Sequence, residues 1–146
     1  MRGSADGWSA RLVDADVLRR KTEQVLHHCA RLDGRSTLVA AELGADEDLR
    51  NAVLMDLQQA IQACIDLAVH ACVDDALGAP ASSADAFALI ARHGTIDDAL
   101  ARRLTGAAGL RNLIVHQYAD IDLERIVRII HDDLDDLRRF VAALRR

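Results

Sequence analysis

Apolar side chains recur at helical spacing along most of the chain. The clearest stretch runs from Leu49 to Leu77, where they return every three or four residues with no glycine or proline between them. The acidic run 46–48 precedes it, and negative charge there suits the positive end of a helix dipole. Because the apolar stripe is broad, we expect this helix to be central and to end at the turn 78–80.

Helices are also predicted on both sides of this central one. The first begins near Asp14, a residue type that caps helices, and ends before Gly34. Residues 1–13 are mixed in character and are expected to form a flexible N-terminal arm. A further short turn is predicted over residues 36–43.

Three more helices follow the central one. Ser82 or Ser83 caps a short helix that stops at Gly94, and the next helix opens with residues 95–98. The last is predicted to run unbroken over residues 123–144, because its apolar residues are spaced 4-3-4-3-4-3. Such a seam packs against an antiparallel neighbour or a partner helix.

The composition agrees with an all-α protein. Of 146 residues, 51% are hydrophobic, only 3% are aromatic and one is a proline, which disfavours β-sandwiches and barrels. We therefore predict one domain over residues 14–146, an up-and-down bundle of four main helices plus a short helix. No run approaches the roughly 18 apolar residues of a membrane span, and no signal peptide is recognisable, so a cytoplasmic location without membrane attachment is expected.

The charge limits the kinds of ligand to be considered. A net charge of −5 argues against a general nucleic-acid coat, because such binding rests on many phosphate contacts, but it leaves room for a small basic site. Cys29, Cys64 and Cys72 form no C-x-x-C pair and are expected to be reduced and buried. The sequence has no glycine-rich phosphate loop and no Cys/His cluster, so neither a metal nor an organic cofactor is predicted.

One segment concentrates reactive side chains. Residues 111–118 read RNLIVHQY and bring together an arginine, an amide, an imidazole and the only tyrosine. On a helix Asn112 and His116 share a face, so the amide can orient the ring. Arg111 and His116 are about 140° apart around the helix axis, so they converge only if the helix ends near His116 or a second chain brings its own copy. An exposed helix end with a histidine and a capping tyrosine is the plainer interpretation.

The pattern Arg-x-x-x-x-His followed by x-Tyr resembles the signature of HepT-type toxins, small α-helical ribonucleases of the HEPN superfamily. The stretch AIQACIDLAVHACVDDALGAP is similar to that family's central helix, which carries an Ala-x-x-Ala-x-x-Asp-type run. The stretch SSADAFALIARHGTIDDALARRLTGAAGLRNLIVHQYADID is similar to the segment that leads to the motif and its acidic turn. The resemblance covers roughly residues 46–144.

The resemblance implies a homodimeric, metal-independent endoribonuclease with its motif at a dimer cleft and with tRNA or mRNA as substrate. Arg111 and His116 would be the catalytic residues. A two-fold dimer would place two copies of each in one cleft. The apolar faces of the helices over 98–117 and 123–144 are candidates for the interface, and core packing within the monomer is the competing use of both.

The resemblance also implies a partner. HepT-type toxins pair with MntA-type minimal nucleotidyltransferases, antitoxins that adenylylate the motif tyrosine, here Tyr118. An added AMP would bring bulk and negative charge into the RNA cleft and so exclude phosphate. Tyr118 is expected just outside the helix, within reach of a modifying enzyme, and packing at the helix end is its alternative role.

Asp66 and His70 lie four residues apart on the central helix, a spacing that can bind a metal. A buried Asp–His hydrogen bond or a dimer contact is the favoured interpretation, because no second pair completes a metal site. Asp66 also resembles a recurrent acidic position of the family. With Asn112, it is expected to support the cleft or contact RNA.

Two other groups of polar residues are read as surface features. His27 and His28 are adjacent, so they do not share a helix face. The arginine pair 102–103 could extend an RNA-binding strip, but a plain solvated face is the favoured interpretation.

Two other functions stay open from the sequence. One is a non-catalytic HEPN-type module that binds a nucleotide or its partner, and the other is a helical adaptor in which the motif is coincidental. RNA cleavage that is lost on His116→Ala would distinguish a nuclease from the non-catalytic module. An adjacent nucleotidyltransferase gene would count against the second.

Overall fold

The computed structural model describes residues 3–145, with side chains from residue 15 onward. That part of the chain is α-helical and contains no β-strand. Seven helices follow one another in the order α1 (Gly3–Asp33), α2 (Ala40–Ala45), α3 (Glu47–Asp74), α4 (Ser83–Arg92), α5 (Asp98–His116), α6 (Leu123–Asp132) and α7 (Leu134–Leu144), with a 3₁₀ turn over Tyr118–Asp120. The all-α prediction is confirmed.

Helix α3 is the centre of the bundle, as its broad apolar stripe predicts. It packs against α1, α2, α4, α5 and α7. Asp46 caps its start by accepting a hydrogen bond from the Leu49 backbone N–H at 3.1 Å. The helix ends at Asp74, earlier than predicted, because Ala76 (φ 53°) and Gly78 (φ 111°) turn the chain out of the helical conformation.

The first helix begins earlier than predicted. Helical backbone starts at Gly3, so the expected start near Asp14 is wrong. The side chains of residues 3–14 lie outside the described part of the structure. The flexible arm over 1–13 and the domain boundary at residue 14 therefore stay predictions.

The predicted helix over 123–144 is broken into α6 and α7. Asp133 closes α6 with a backbone hydrogen bond to the Ile129 carbonyl at 2.9 Å, and Leu134 opens α7. The apolar seam stays buried across the break, at residues such as Ile130 and Leu137. Hydrophobic spacing alone therefore gives no sign of the interruption.

A buried carboxylate joins α1 to α3. Asp56 on α3 is only 3% exposed. It accepts hydrogen bonds from Arg31 Nε at 2.9 and 3.1 Å and lies 2.8 Å from His28 Nδ1. The prediction that His28 is a surface residue is wrong, because this contact holds its ring between the two helices. His27 is exposed, as expected.

Two further expectations concern buried residues. Cys29, Cys64 and Cys72 are free and buried, as predicted. By length and composition α3 alone among the described helices could cross a membrane, but more than half of its most apolar stretch is buried inside the bundle. A core helix has the same properties, so this is weak support for a membrane span.

Candidate active site

The 111–118 segment forms the carboxyl end of α5 and the turn after it. Asp97 caps the start of α5 by accepting from the Leu100 backbone N–H at 2.7 Å. The helix ends at His116, where Gln117 N–H bonds to the Leu113 carbonyl at 2.8 Å. Tyr118 opens the 3₁₀ turn and so lies just outside the helix, as expected.

Arg111 is half-buried, and one of its guanidinium nitrogens is already hydrogen-bonded within the chain. Nη1 donates a hydrogen bond of 2.7 Å to Oδ1 of Asn112. Nε is buried and donates to no atom of the described residues. The remaining donors on Nη1 and Nη2 are therefore the groups available to an anion, whereas the buried Nε is not.

His116 is exposed and lies on another side of α5 from Arg111. Both residues belong to the same unbroken helix, so they stay about 140° apart around its axis. The expected hydrogen bond from Asn112 to the ring is not formed within the described residues, because the amide oxygen accepts from Arg111 instead. A single chain therefore presents the cation and the imidazole in different directions.

Tyr118 borders an open groove beside the start of α3. Its side chain is 40% exposed. The groove has a volume of about 490 Å³. Its lining is partly apolar and partly polar, with two amides and one carboxylate, and consists of Glu47, Asn51, Leu54, Met55, Gln58, Ile114 and Tyr118. The phenol is thus accessible at a place with room for a sizeable group.

Asp66 has partners other than the predicted one. Its carboxylate accepts from Lys21 Nζ at 2.9 Å and from Gln62 Nε2 at 2.9 Å. His70 Nε2 lies 3.4 Å from Asp74 Oδ2. The expected Asp66–His70 hydrogen bond is therefore replaced by a link between α1 and α3. Within residues 15–145, no group of three His, Cys, Asp or Glu side chains is placed to hold a metal ion.

The apolar faces proposed for a dimer interface are used within the monomer. The inward residues of α5, α6 and α7, among them Leu104, Val127 and Val141, are buried in the core. Large apolar side chains that remain exposed lie mainly on α3 and at the end of α5: Met55, Val69, Val73, Val115 and Tyr118. The apolar faces of α5, α6 and α7 are thus buried within the monomer, and a different apolar surface, mainly on α3, remains exposed.

Arg102 and Arg103 have different surroundings. Arg103 Nε donates to Asp136 Oδ1 at 3.0 Å, which links α5 to α7. Arg102 is exposed. The sequence alone does not show which of two adjacent arginines forms an ion pair, because that depends on how the helix packs.

Comparisons with known proteins agree with this architecture. The family model for "Ribonuclease HepT-like" proteins matches residues 25–144. The chain is 35% identical over 100 residues to the mRNA nuclease HepT of Shewanella oneidensis, covering 68% of this chain and 75% of the relative.

Solved structures share the fold. A tri-AMPylated Shewanella oneidensis HEPN toxin in complex with an MNT antitoxin superposes with a TM-score of 0.81 at 29% identity, over 89% of this chain and 97% of that one. YutE from Bacillus subtilis, a cytosolic protein of unknown function, has a TM-score of 0.70 at 17% identity, over 87% of each chain. The second likeness shows the fold alone, whereas the family match extends to most of the sequence, so this chain belongs to the HepT-like ribonuclease family of HEPN toxins.

Proposed function

We propose that this protein is the toxin of a toxin–antitoxin system, a homodimeric endoribonuclease of the cytoplasm that cleaves tRNA or mRNA without a metal. The observation behind the proposal is the position of Arg111 and His116 on one unbroken helix, on different sides of its axis. Neither residue alone supplies both the charge and the proton transfer that RNA cleavage needs. Two copies of α5 in one cleft supply both.

The chemistry follows from the side chains. The 2′-oxygen of a ribose attacks the adjacent phosphorus, its proton passes to a base, and the bond from phosphorus to the 5′-oxygen breaks as an acid protonates that oxygen. Imidazole serves as base or acid near neutral pH. Two copies of His116 provide one of each, and the Arg111 guanidinium stabilises the extra negative charge on the phosphate.

A second chain is the expected source of the missing groups. A two-fold axis beside α5 brings one protomer's His116 toward the other's Arg111, and it creates two equivalent reaction sites. The exposed apolar residues of α3, Met55, Val69 and Val73, provide a surface for such packing. We therefore expect activity to require the dimer.

Tyr118 is the proposed site of control by an MntA-like nucleotidyltransferase antitoxin. The phenol loses its proton to solvent as its oxygen attacks the α-phosphorus of ATP. The bond between the α- and β-phosphates breaks, pyrophosphate leaves, and AMP becomes joined to the tyrosine. Its support is the exposed ring beside a groove of about 490 Å³. The added phosphate repels RNA from the neighbouring Arg111–His116 segment.

The decisive experiment compares purified wild type with His116→Ala on total cellular RNA in EDTA. Intact mass is recorded first, so that an AMP adduct does not mask activity. Cleavage by the wild type and its loss in His116→Ala is the expected result. Intact RNA after incubation with unmodified wild type would refute the nuclease and favour a non-catalytic nucleotide- or partner-binding module.

A further inference from the structure

A cavity of about 310 Å³ opens between α3, α5, α6 and α7, on a different face of α5 from His116. Its floor is apolar, from Leu57, Ile61, Leu110, Ile129, Leu134 and Leu137. Gly106 of α5 borders the cavity and has no side chain to fill it. A Cβ added there would meet no atom within 4 Å. The break between α6 and α7 at Asp133 forms part of the opposite wall. Its volume is at the lower end of the range for small-ligand sites, about 300–1,000 Å³.

Charged residues surround this apolar floor. Arg103 is neutralised by Asp136, with Nε 3.0 Å from Oδ1. Arg125 and Arg128 also line the cavity, and within the described chain neither forms an ion pair. Asp133 is the remaining acidic group at the rim, so cations outnumber carboxylates. In a protein of net charge −5, two arginines without ion-pair partners give this cavity rim a local positive charge, which favours an anionic ligand.

The cavity is continuous in its lining with the motif segment. A smaller neighbouring cleft shares Leu110 and Arg125 with it and reaches Gln117 and Asp120. Leu110 and His116 are about 9 Å apart along the helix axis, at 1.5 Å per residue. The cavity and His116 are thus close along α5 but lie on different faces of it, so an RNA strand cut at His116 reaches the cavity by curving around the helix.

We propose that this cavity binds one unpaired base of the RNA strand, with Arg125 and Arg128 on the phosphates that flank it. The inference rests on the proposed function for its ligand. An unstacked base has flat, weakly polar faces and polar edges, and it is joined to phosphates. Its faces match the apolar floor, and its phosphates match the two guanidinium groups that have no ion-pair partner. The site would bind single-stranded RNA at a position outside the catalytic motif.

RNA affinity tests this assignment directly. A His116→Ala protein, which leaves the RNA intact, is titrated into a fluorescein-labelled unstructured RNA and followed by anisotropy at several salt concentrations. Adding Arg125→Ala or Arg128→Ala is expected to weaken binding roughly tenfold. The slope of log K against log salt should fall by about 0.7 for each lost phosphate contact. Arg92→Ala, on α4 and away from the cavity, is the matched control and should change neither quantity.

A second pair of variants tests the cavity itself. Gly106→Leu fills it, whereas Gly106→Ala adds only a methyl group at the same helical position. We expect the leucine variant to lose about tenfold in RNA affinity while the alanine variant binds like the parent, with equal helicity by circular dichroism. Equal binding by both variants would overturn the base-binding role.

Two further outcomes separate this inference from the proposed function. Arginine-dependent binding of RNA that the wild type leaves uncut would keep the cavity assignment and remove the nuclease. Cleavage by the wild type, with unchanged RNA affinity in Arg125→Ala and Arg128→Ala, would keep the nuclease and remove the cavity assignment. Arg125-dependent binding of AMP in place of RNA would make the cavity a free-nucleotide site and also overturn it.

Discussion

Arg111 donates a hydrogen bond of 2.7 Å from Nη1 to Oδ1 of Asn112, its neighbour in the sequence. Adjacent residues on a helix point in different directions, so the long arginine side chain bends back toward the shorter amide. The contact fixes the Nη1 side of the guanidinium and leaves the other Nη donors for a phosphate. We therefore propose that Asn112 positions Arg111, a role different from the one its spacing to His116 predicts.

Removing the cation should abolish most of the RNA cleavage. Arg111→Ala is expected to lower the cleavage rate by about 10²–10³-fold, the usual cost of losing one group that stabilises transition-state charge. Helicity and the dimer, checked by circular dichroism and light scattering, should be unchanged. Full activity in this variant would refute the catalytic role of Arg111.

Loss of the amide should have a smaller effect than loss of the guanidinium. Asn112→Ala leaves the charge in place but frees its orientation, so we expect about a tenfold lower kcat with little change in KM. Asn112→Asp, which keeps the acceptor oxygen, should recover part of the rate. Equal activity of wild type and Asn112→Ala in single-turnover assays would show that the hydrogen bond has no catalytic consequence.

Modification by the antitoxin should depend on a single phenol. Tyr118→Phe keeps the ring in its groove but lacks the oxygen that attacks ATP, so incubation with an MntA-like nucleotidyltransferase and ATP should add no mass. The same variant should still cleave RNA. Detection of AMP on Tyr118→Phe by intact-mass spectrometry would place the acceptor elsewhere.

The buried carboxylate between α1 and α3 should matter for stability. Asp56→Ala leaves Arg31 and His28 without their shared acceptor. We expect the free energy of unfolding, measured with urea, to fall by about 2 kcal/mol. The cost is below the roughly 3–5 kcal/mol of a fully buried pair because the Arg31 side chain is 49% exposed. Asp132→Ala, at an exposed position, should change stability by less than about 0.5 kcal/mol. A similar result for both variants would contradict a structural role for Asp56.

The cysteines should resist alkylation in the native protein. Burial raises the pKa of the Cys29 thiol to about 11 and that of Cys64 well above its ordinary value. Because the thiolate is the nucleophile, little of either reacts at pH 7–8, and the Cys29 rate should rise as the pH approaches 11. Mass spectrometry after iodoacetamide should find these sites unlabelled until urea is added. Rapid labelling of Cys29 in folded protein at pH 7 would contradict this environment.

The central helix and the end of α5 could be predicted from the sequence because each has a local signal. An acidic cap and an apolar stripe identify α3, and the position of Tyr118 outside the helix follows from the polar residues around it. The interruption at Asp133 has only part of such a signal: acidic residues stand at the start of α7, but the apolar residues keep their spacing on both sides of the break. Helical periodicity reports which face is buried, and a one-residue break leaves that face unchanged.

Burial of polar groups was harder to predict than burial of apolar ones. Asp56 falls on the apolar face of α3, three residues after Val53 and four before Ala60, which is a usable signal for a buried carboxylate. Its partners on α1 are distant in the chain, so spacing alone gives no way to find them. The same limit applied to Asp66, whose partner Lys21 also belongs to α1.

The angle of about 140° between Arg111 and His116 on α5 affects how activity depends on protein concentration. On the proposed mechanism a lone chain is inert, and the amount of working enzyme at low expression rises with the square of the protein concentration. A small leak of toxin synthesis is then nearly harmless, whereas a modest further rise becomes disproportionately damaging. The proposed mechanism thus includes a steep dependence of activity on toxin concentration that operates before any antitoxin acts.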